Sequence, residues 1–152
     1  MDHMAVTMYT NASDIGVGAI FKNSWTMQLF QGDLAWMVDR SIAWCELYAI
    51  VLCVGVFGPN MANTCVKMYT DNQAILHCVN SGTCKDQHIM ALLRSLYYYT
   101  TRYNIQYRAY YIPTYENGPS DSLSRNNVQR FRQLCPQADH IMTPACSVLL
   151  DF

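Results

Sequence analysis

Between Ser41 and Pro59 the chain reads SIAWCELYAIVLCVGVFGP, and no other stretch limits its fold so tightly. From Leu47 to Phe57 there is no charged residue at all. A helix that is apolar on every side must be covered on every side, so this one belongs inside a layered domain. Ser41 suits the start as a cap, and Gly58-Pro59 predicts the stop. The uncharged run is too short to span a bilayer, so no membrane partner is expected. Glu46 stands immediately before that run. A carboxylate in such surroundings is costly unless a cation or hydrogen-bond donors meet it. Either Glu46 turns outward at the helix edge, or it is a ligand.

The rest of the chain supplies the cover. VTMYTNAS, GVGAIFKN and SWTMQLFQ read as three strands with short connections, an antiparallel meander. CVKMYTDN is a further strand, and NQAILHCVNSG a short helix ended by Gly82. KDQHIMALLRSLYYYTTRYN predicts a longer helix with Asp86 near its start and Ile89, Leu92, Leu93, Leu96 and Tyr97 on one face. IQYRAYYIP is a strand closed by Pro113, TYENGPS a loop, and SDSLSRNNVQRFRQL the opening of one final helix. The order β-β-β-α-β-α-α-β-α implies a mixed sheet covered by helices. Residues 6–134 form the expected domain, with a start at 1–5 that is disordered or a cloning remnant and an irregular tail at 135–152.

Apolar residues make up 51% of the 152, which excludes disorder, and the net charge of −1 draws no nucleic acid by itself. Any such binding has to be local. Seven cysteines without a C-x-x-C pair fit a reduced, intracellular setting. Cys84 and His88 have the spacing of half a zinc site, but no second pair completes it.

Two strands nearly echo each other: VTMYTNAS at Val6–Ser13 and VKMYTDNQ at Val66–Gln73. The second ends on Asp71, where open sheets place their chemistry; the first ends on Asn11. Locally, Asp71 reads equally well as a helix cap. Asp121, just after NGPS, reads equally well as a carboxylate facing a helix dipole. Glu116 in its loop is a solvated acid. Taken in order, however, position 11 on a strand end, Glu46 in a helix, Asp71 on a strand end and Asp121 at a helix start form one pattern.

With YTNASDIGVGAIF, SIAWCELYAIVL, YTDNQAILHCVNSG, KDQHIMALLRSL, YIPTYENGPSDSLSR and VQRFRQLCPQAD, the chain resembles a ribonuclease H domain. The resemblance is to the domain that follows the reverse transcriptase of tyrosine-recombinase retroelements of the DIRS/Ngaro type. It covers about Val6 to Asp139. It implies an α/β fold with a five-stranded mixed sheet in the order 3-2-1-4-5, flanked by helices. The implied activity is two-metal hydrolysis of the RNA strand of an RNA–DNA hybrid, with a reverse transcriptase domain in cis. Two Mg²⁺ ions, which Mn²⁺ can replace, are implied at four positions: Asn11, Glu46, Asp71 and Asp121. Ser13, Asn72 and Arg125 are implied as contacts to nucleic acid.

Two departures accompany the resemblance. The family has Asp where this chain has Asn11, so a carboxylate shared by both ions is missing. Asp14, three residues along an extended chain, lies roughly 10 Å away and is no substitute. The family also reads HIP where this chain reads YIP at Tyr111–Pro113. A tyrosine is a poor base near neutrality. Asn11 alone fits a designed substrate trap; with Tyr111 also changed, natural drift fits better. The expectation is a ribonuclease of weak or absent activity, or else a non-cleaving module that serves as a scaffold or binds hybrids. An integrase-like relative would need a different spacing of acids.

Overall fold

In the computed structural model, residues 5–150 are described; the expected terminal remnant before Ala5 lies mostly outside them. Strands β1 (Ala5–Ala12), β2 (Gly16–Phe21) and β3 (Ser24–Leu29) form the meander. Helix α1 (Ile42–Met61) then leads to β4 (Cys65–Thr70). Helices α2 (Gln73–Ser81) and α3 (Gln87–Arg102) lead to β5 (Gln106–Tyr111), and α4 (Gly118–Ser124) and α5 (Val128–Leu134) close the order. The sheet runs β3-β2-β1-β4-β5, with β1–β4 and β4–β5 parallel and the meander antiparallel. This is the mixed α/β architecture and strand order that the resemblance implied.

The caps follow local chemistry. The Ser41 hydroxyl accepts from the Trp44 N–H at 3.1 Å, Asn72 accepts from Ile75 at 2.9 Å, and Asp86 accepts from His88 and Ile89. Each cap satisfies a helix-end donor that would otherwise be left open. Gly82 ends α2 with a positive φ of 75°, a conformation that costs glycine little.

Four expectations need correction. Helix α1 does not stop at Gly58-Pro59 but runs on to Met61. Pro59 sits in the last turn, where it removes one hydrogen bond, and the fully buried Met61 anchors the extra turn. At twenty residues α1 is long and apolar enough to cross a membrane by those measures alone, but 72% of its apolar window is buried in the domain. It is the core helix. Residues Gly32–Asp39, unassigned from sequence, form a 3-10 helix that sets Met37 under α1. Tyr97 is 69% exposed rather than on the buried face of α3. The last helix is two helices, broken at Asn126, whose φ is 57°.

Each face of the sheet carries a core. Met8, Val17, Ala19 and Met68 pack under α1, which α3 covers in turn with Ile89, Leu92 and Leu96. Each of these side chains except the small Ala19 contributes roughly 1.5–3 kcal/mol by leaving water. On the opposite face α4 and α5 cover only the meander half, through Ile20, Trp25, Leu123 and Phe131. There Gly18 allows close approach: a Cβ on it would lie 2.5 Å from the Leu123 Cβ and 2.7 Å from the Ser120 carbonyl. We expect Gly18→Ala to cost about 3 kcal/mol through overpacking, read as a fall in urea midpoint at unchanged slope. Among the described residues the tail beyond α5 has no helix or strand, yet Ala145, Cys146, Val148 and Leu150 pack on the main core. All seven cysteines are free.

Candidate active site

The ends of β1 and β4 lie side by side because those strands pair in parallel and in register, Tyr9 opposite Tyr69. Two residues further on, the Asn11 amide donates to Asp71 Oδ2 at 3.3 Å. Asn11 is only 2% exposed. Thr114, just past β5, donates its hydroxyl to the same Asp71 oxygen at 3.1 Å. Helix α1 brings Glu46 in from the core side, 4% exposed, where its Oε1 accepts from the Ala12 N–H at 3.3 Å. Its Oε2 is buried and makes no hydrogen bond among the described residues. Burial raises the Glu46 pKa, and the nearby charge of Asp71 and then of Asp121 add to it. The Ala12 N–H opposes the rise, and the outcome is about 8. Glu46 therefore faces inward, into the acid cluster, and not outward at the helix edge.

Asp121 enters from α4, and its carboxylate is held by two guanidinium groups. Arg125 Nε lies 3.0 Å from Oδ1, and Arg130 Nη1 lies 3.4 Å from Oδ2. The Arg130 contact left no trace in the sequence, because the turn at Asn126 is what swings α5 back over α4. Thr114 was equally silent: it opens a short 3-10 helix, Thr114–Glu116, where the sequence predicts a loop and carries no motif. Asn117 fixes the approach of α4 by donating to the Thr10 carbonyl at 3.0 Å.

The other expected residues are placed differently. Ser13 is buried and donates its hydroxyl to the Ser124 carbonyl at 2.6 Å, so it ties β1 to α4 and offers no exposed group to a nucleic-acid backbone. Asn72 spends its side-chain oxygen on the α2 cap. Arg125 is more than half exposed even while paired with Asp121. Tyr111 is 47% exposed at the end of β5. Asp14 is exposed on the turn after β1. Asp71 is not the cap of α2; its neighbour Asn72 is.

Among the described residues no group of three or more His, Cys, Asp or Glu side chains closes tightly enough to hold an ion outright. The donor chemistry nevertheless suits a hard divalent cation. Asn11, Glu46 and Asp71 present only oxygen acceptors besides the Asn11 amide NH2, and a buried carboxylate oxygen is left without a donor among the described residues. Asp121 fits less well, since its charge is already compensated by the arginines.

No protein-family model matches the sequence, and no curated protein is similar to it at a significant level. Solved structures do share the fold. RNase H1 from Halobacterium salinarum NRC-1 is 11% identical, with a TM-score of 0.59 over 82% of this chain and 98% of its own. LC11-RNase H1, solved in complex with an RNA/DNA hybrid, is 12% identical, with a TM-score of 0.60 over 83% and 96%. The N-terminal RNase H domain of a Mycobacterium tuberculosis protein is 13% identical, with a TM-score of 0.58 over 87% and 99%. At these identities the likeness is one of architecture. The chain has the ribonuclease H fold.

Proposed function

We propose that this chain is a ribonuclease H module of a retroelement reverse transcriptase of the DIRS/Ngaro type, built to engage RNA–DNA hybrids and impaired in cutting them. One observation carries the reading. In the midst of an oxygen cluster assembled from β1, α1 and β4, position 11 is an amide that donates to Asp71. A carboxylate there would repel Asp71; the amide replaces repulsion with a hydrogen bond and removes a charge from any cation site. Asn11, Glu46 and Asp71 are the residues that would hold Mg²⁺ or Mn²⁺, with Asp121 as a further ligand once released by its arginines. The chemistry that a bound ion would supply there is a lowered pKa for an attacking water and compensation of charge on the leaving oxygen. The protein's own part is to fix the ligands: the Ala12 N–H and burial set Glu46, and Thr114 and Asn11 orient Asp71.

A second reading is favoured by the arginine pair on Asp121 and by Tyr111: a module retained for binding rather than cleavage. Hybrid cleavage by the chain and by Asn11→Asp, compared in Mg²⁺ and in Mn²⁺, separates the two. The partners that go with the first reading are an RNA–DNA hybrid and a reverse transcriptase domain in cis, in a reducing intracellular compartment.

A further inference from the structure

The α4–α5 lid leaves half of its sheet face bare, and the bare half has an unusual composition. The register aligns one row across four strands, Ile20, Tyr9, Tyr69 and Tyr110. Ile20 lies under the lid; the three tyrosines lie beyond it, with Tyr9 37% and Tyr110 38% exposed. Their rings form a ladder, Tyr9 on Tyr69 at 5.2 Å and 11°, Tyr69 to Tyr110 at 5.8 Å and 37°. The next row on the same face is Thr7, Lys67 and Arg108, and both cations are exposed. Among the described residues neither Lys67 nor Arg108 makes an ion pair, and the Lys67 ammonium lies 6.0 Å from the Tyr110 ring centroid. A groove of about 650 Å³ runs between Tyr9 and the lid, with Lys22 on its rim.

The geometry points to a second nucleic-acid site here, a platform for a single strand, separate from the oxygen cluster and independent of whether that cluster cuts. Unpaired bases stack on aromatic side chains while their phosphates meet lysine and arginine, and a sheet face with both is suited to that task. Tyr110, on the edge strand, has no aromatic neighbour on its outer side among the described residues, so it is the stacking post. The phenol edges of Tyr9 and Tyr69 form the floor, and Lys67 and Arg108 take the phosphates. A duplex cannot present its bases to such a floor. A second copy of the chain is disfavoured by charge, because a two-fold contact would set Lys67 and Arg108 against themselves. A protein partner is disfavoured by the shortage of large aliphatic side chains: apart from the tyrosines and the two cations, the strands of the bare half offer Ala5, Thr7, Cys65 and Gln106. The platform adjoins the oxygen cluster, since Tyr9 and Tyr69 each stand two residues before Asn11 and Asp71, roughly 7 Å along the strand. A single strand leaving a hybrid end has only that distance to cross.

The test is fluorescence anisotropy with a labelled 12-residue oligouridine and, separately, a blunt 12-base-pair RNA–DNA hybrid, in EDTA and about 50 mM salt. Tyr110→Ala should weaken oligouridine binding about tenfold, while Tyr110→Phe stays within about twofold. Replacing Lys67 and Arg108 together by Ala should lower the salt slope by about 1.4, two phosphates' worth on a single strand. Hybrid affinity should be unchanged in all three. Undetectable oligouridine binding by the unmodified chain overturns the proposal, as does Tyr110→Ala binding at full strength or equal losses on hybrid and single strand. Self-association that Tyr110→Ala abolishes would make the face a contact between copies and likewise overturns it. Should Tyr110→Ala fail to fold, the exposed Lys67/Arg108 variant decides by its salt slope alone.

Discussion

Asn11→Asp is expected to raise Mg²⁺-dependent cleavage of an RNA–DNA hybrid on the order of 100-fold while destabilising the metal-free protein. Both effects have one cause. A carboxylate about 4 Å from a divalent ion gains on the order of 4 kcal/mol per unit charge at the effective dielectric of a protein surface. Even with half of that lost to desolvation, two ions gain enough for two factors of ten. Without metal the same carboxylate loses the 3.3 Å hydrogen bond to Asp71 and repels it instead. A cost of about 2 kcal/mol lowers the melting temperature of a domain this size by about 4–8 °C, and Mg²⁺ should restore it. Cleavage in a quenched-hybrid assay and melting with and without EDTA give two separate readouts. Brisk cleavage by the Asn11 chain would refute the charge account. A restored Mg²⁺-dependent melt without cleavage would place the defect elsewhere, at Tyr111 or in the arginine clamp on Asp121.

The second large effect is on stability against pH. Glu46 has its pKa raised from 4.5 to about 8 in the folded protein, so between those values the native state holds a proton that the unfolded chain has released. Stability is then fully present below about pH 4.5 and is lost as pH rises toward 8 and beyond. The full span amounts to about 3–5 kcal/mol, the upper figure assuming no relaxation around the charge. Glu46→Gln removes the titration. It should leave stability near pH 4.5 little changed and make the protein about 3 kcal/mol more stable than the unmodified chain at pH 9, read from urea midpoints at both values. Saturating Mg²⁺ should reduce the pH dependence of the unmodified chain, because a cation takes the proton's place. Parallel curves for the two proteins would show that Glu46 keeps an ordinary pKa.

What the residues announced and what they concealed divides along local and long-range lines. Ser41 could be read as a cap because a cap needs only its own first turn, and Asp86 could be placed near the helix start that it proves to cap. Glu46 attracted notice because its neighbours made it expensive. Its direction could not be read, since that depends on Asp71 and Asp121, which lie far along the chain. The parallel pairing of β1 with β4 rested on the family resemblance; alternation shows a strand but not its neighbour. Pro59 misled because a proline in a last turn costs one hydrogen bond, which the burial of Met61 outweighs. Tyr97 misled because helical spacing marks a face without saying how wide the buried stripe is. The arginine clamp was hidden by the turn at Asn126, and an asparagine pair is a weak warning that a helix will reverse.

The position of β1 at the middle of the sheet also governs how the chain emerges during synthesis. By residue 29 the meander is complete, but the far side of β1 stays raw until Cys65–Thr70 arrives to pair with it. The intervening product is the greasiest helix of the protein, and its cover, α3, comes later still. A ribosome stalled before residue 65 therefore carries an unpaired strand edge and a bare apolar rod together, the combination that invites chaperones or clumping.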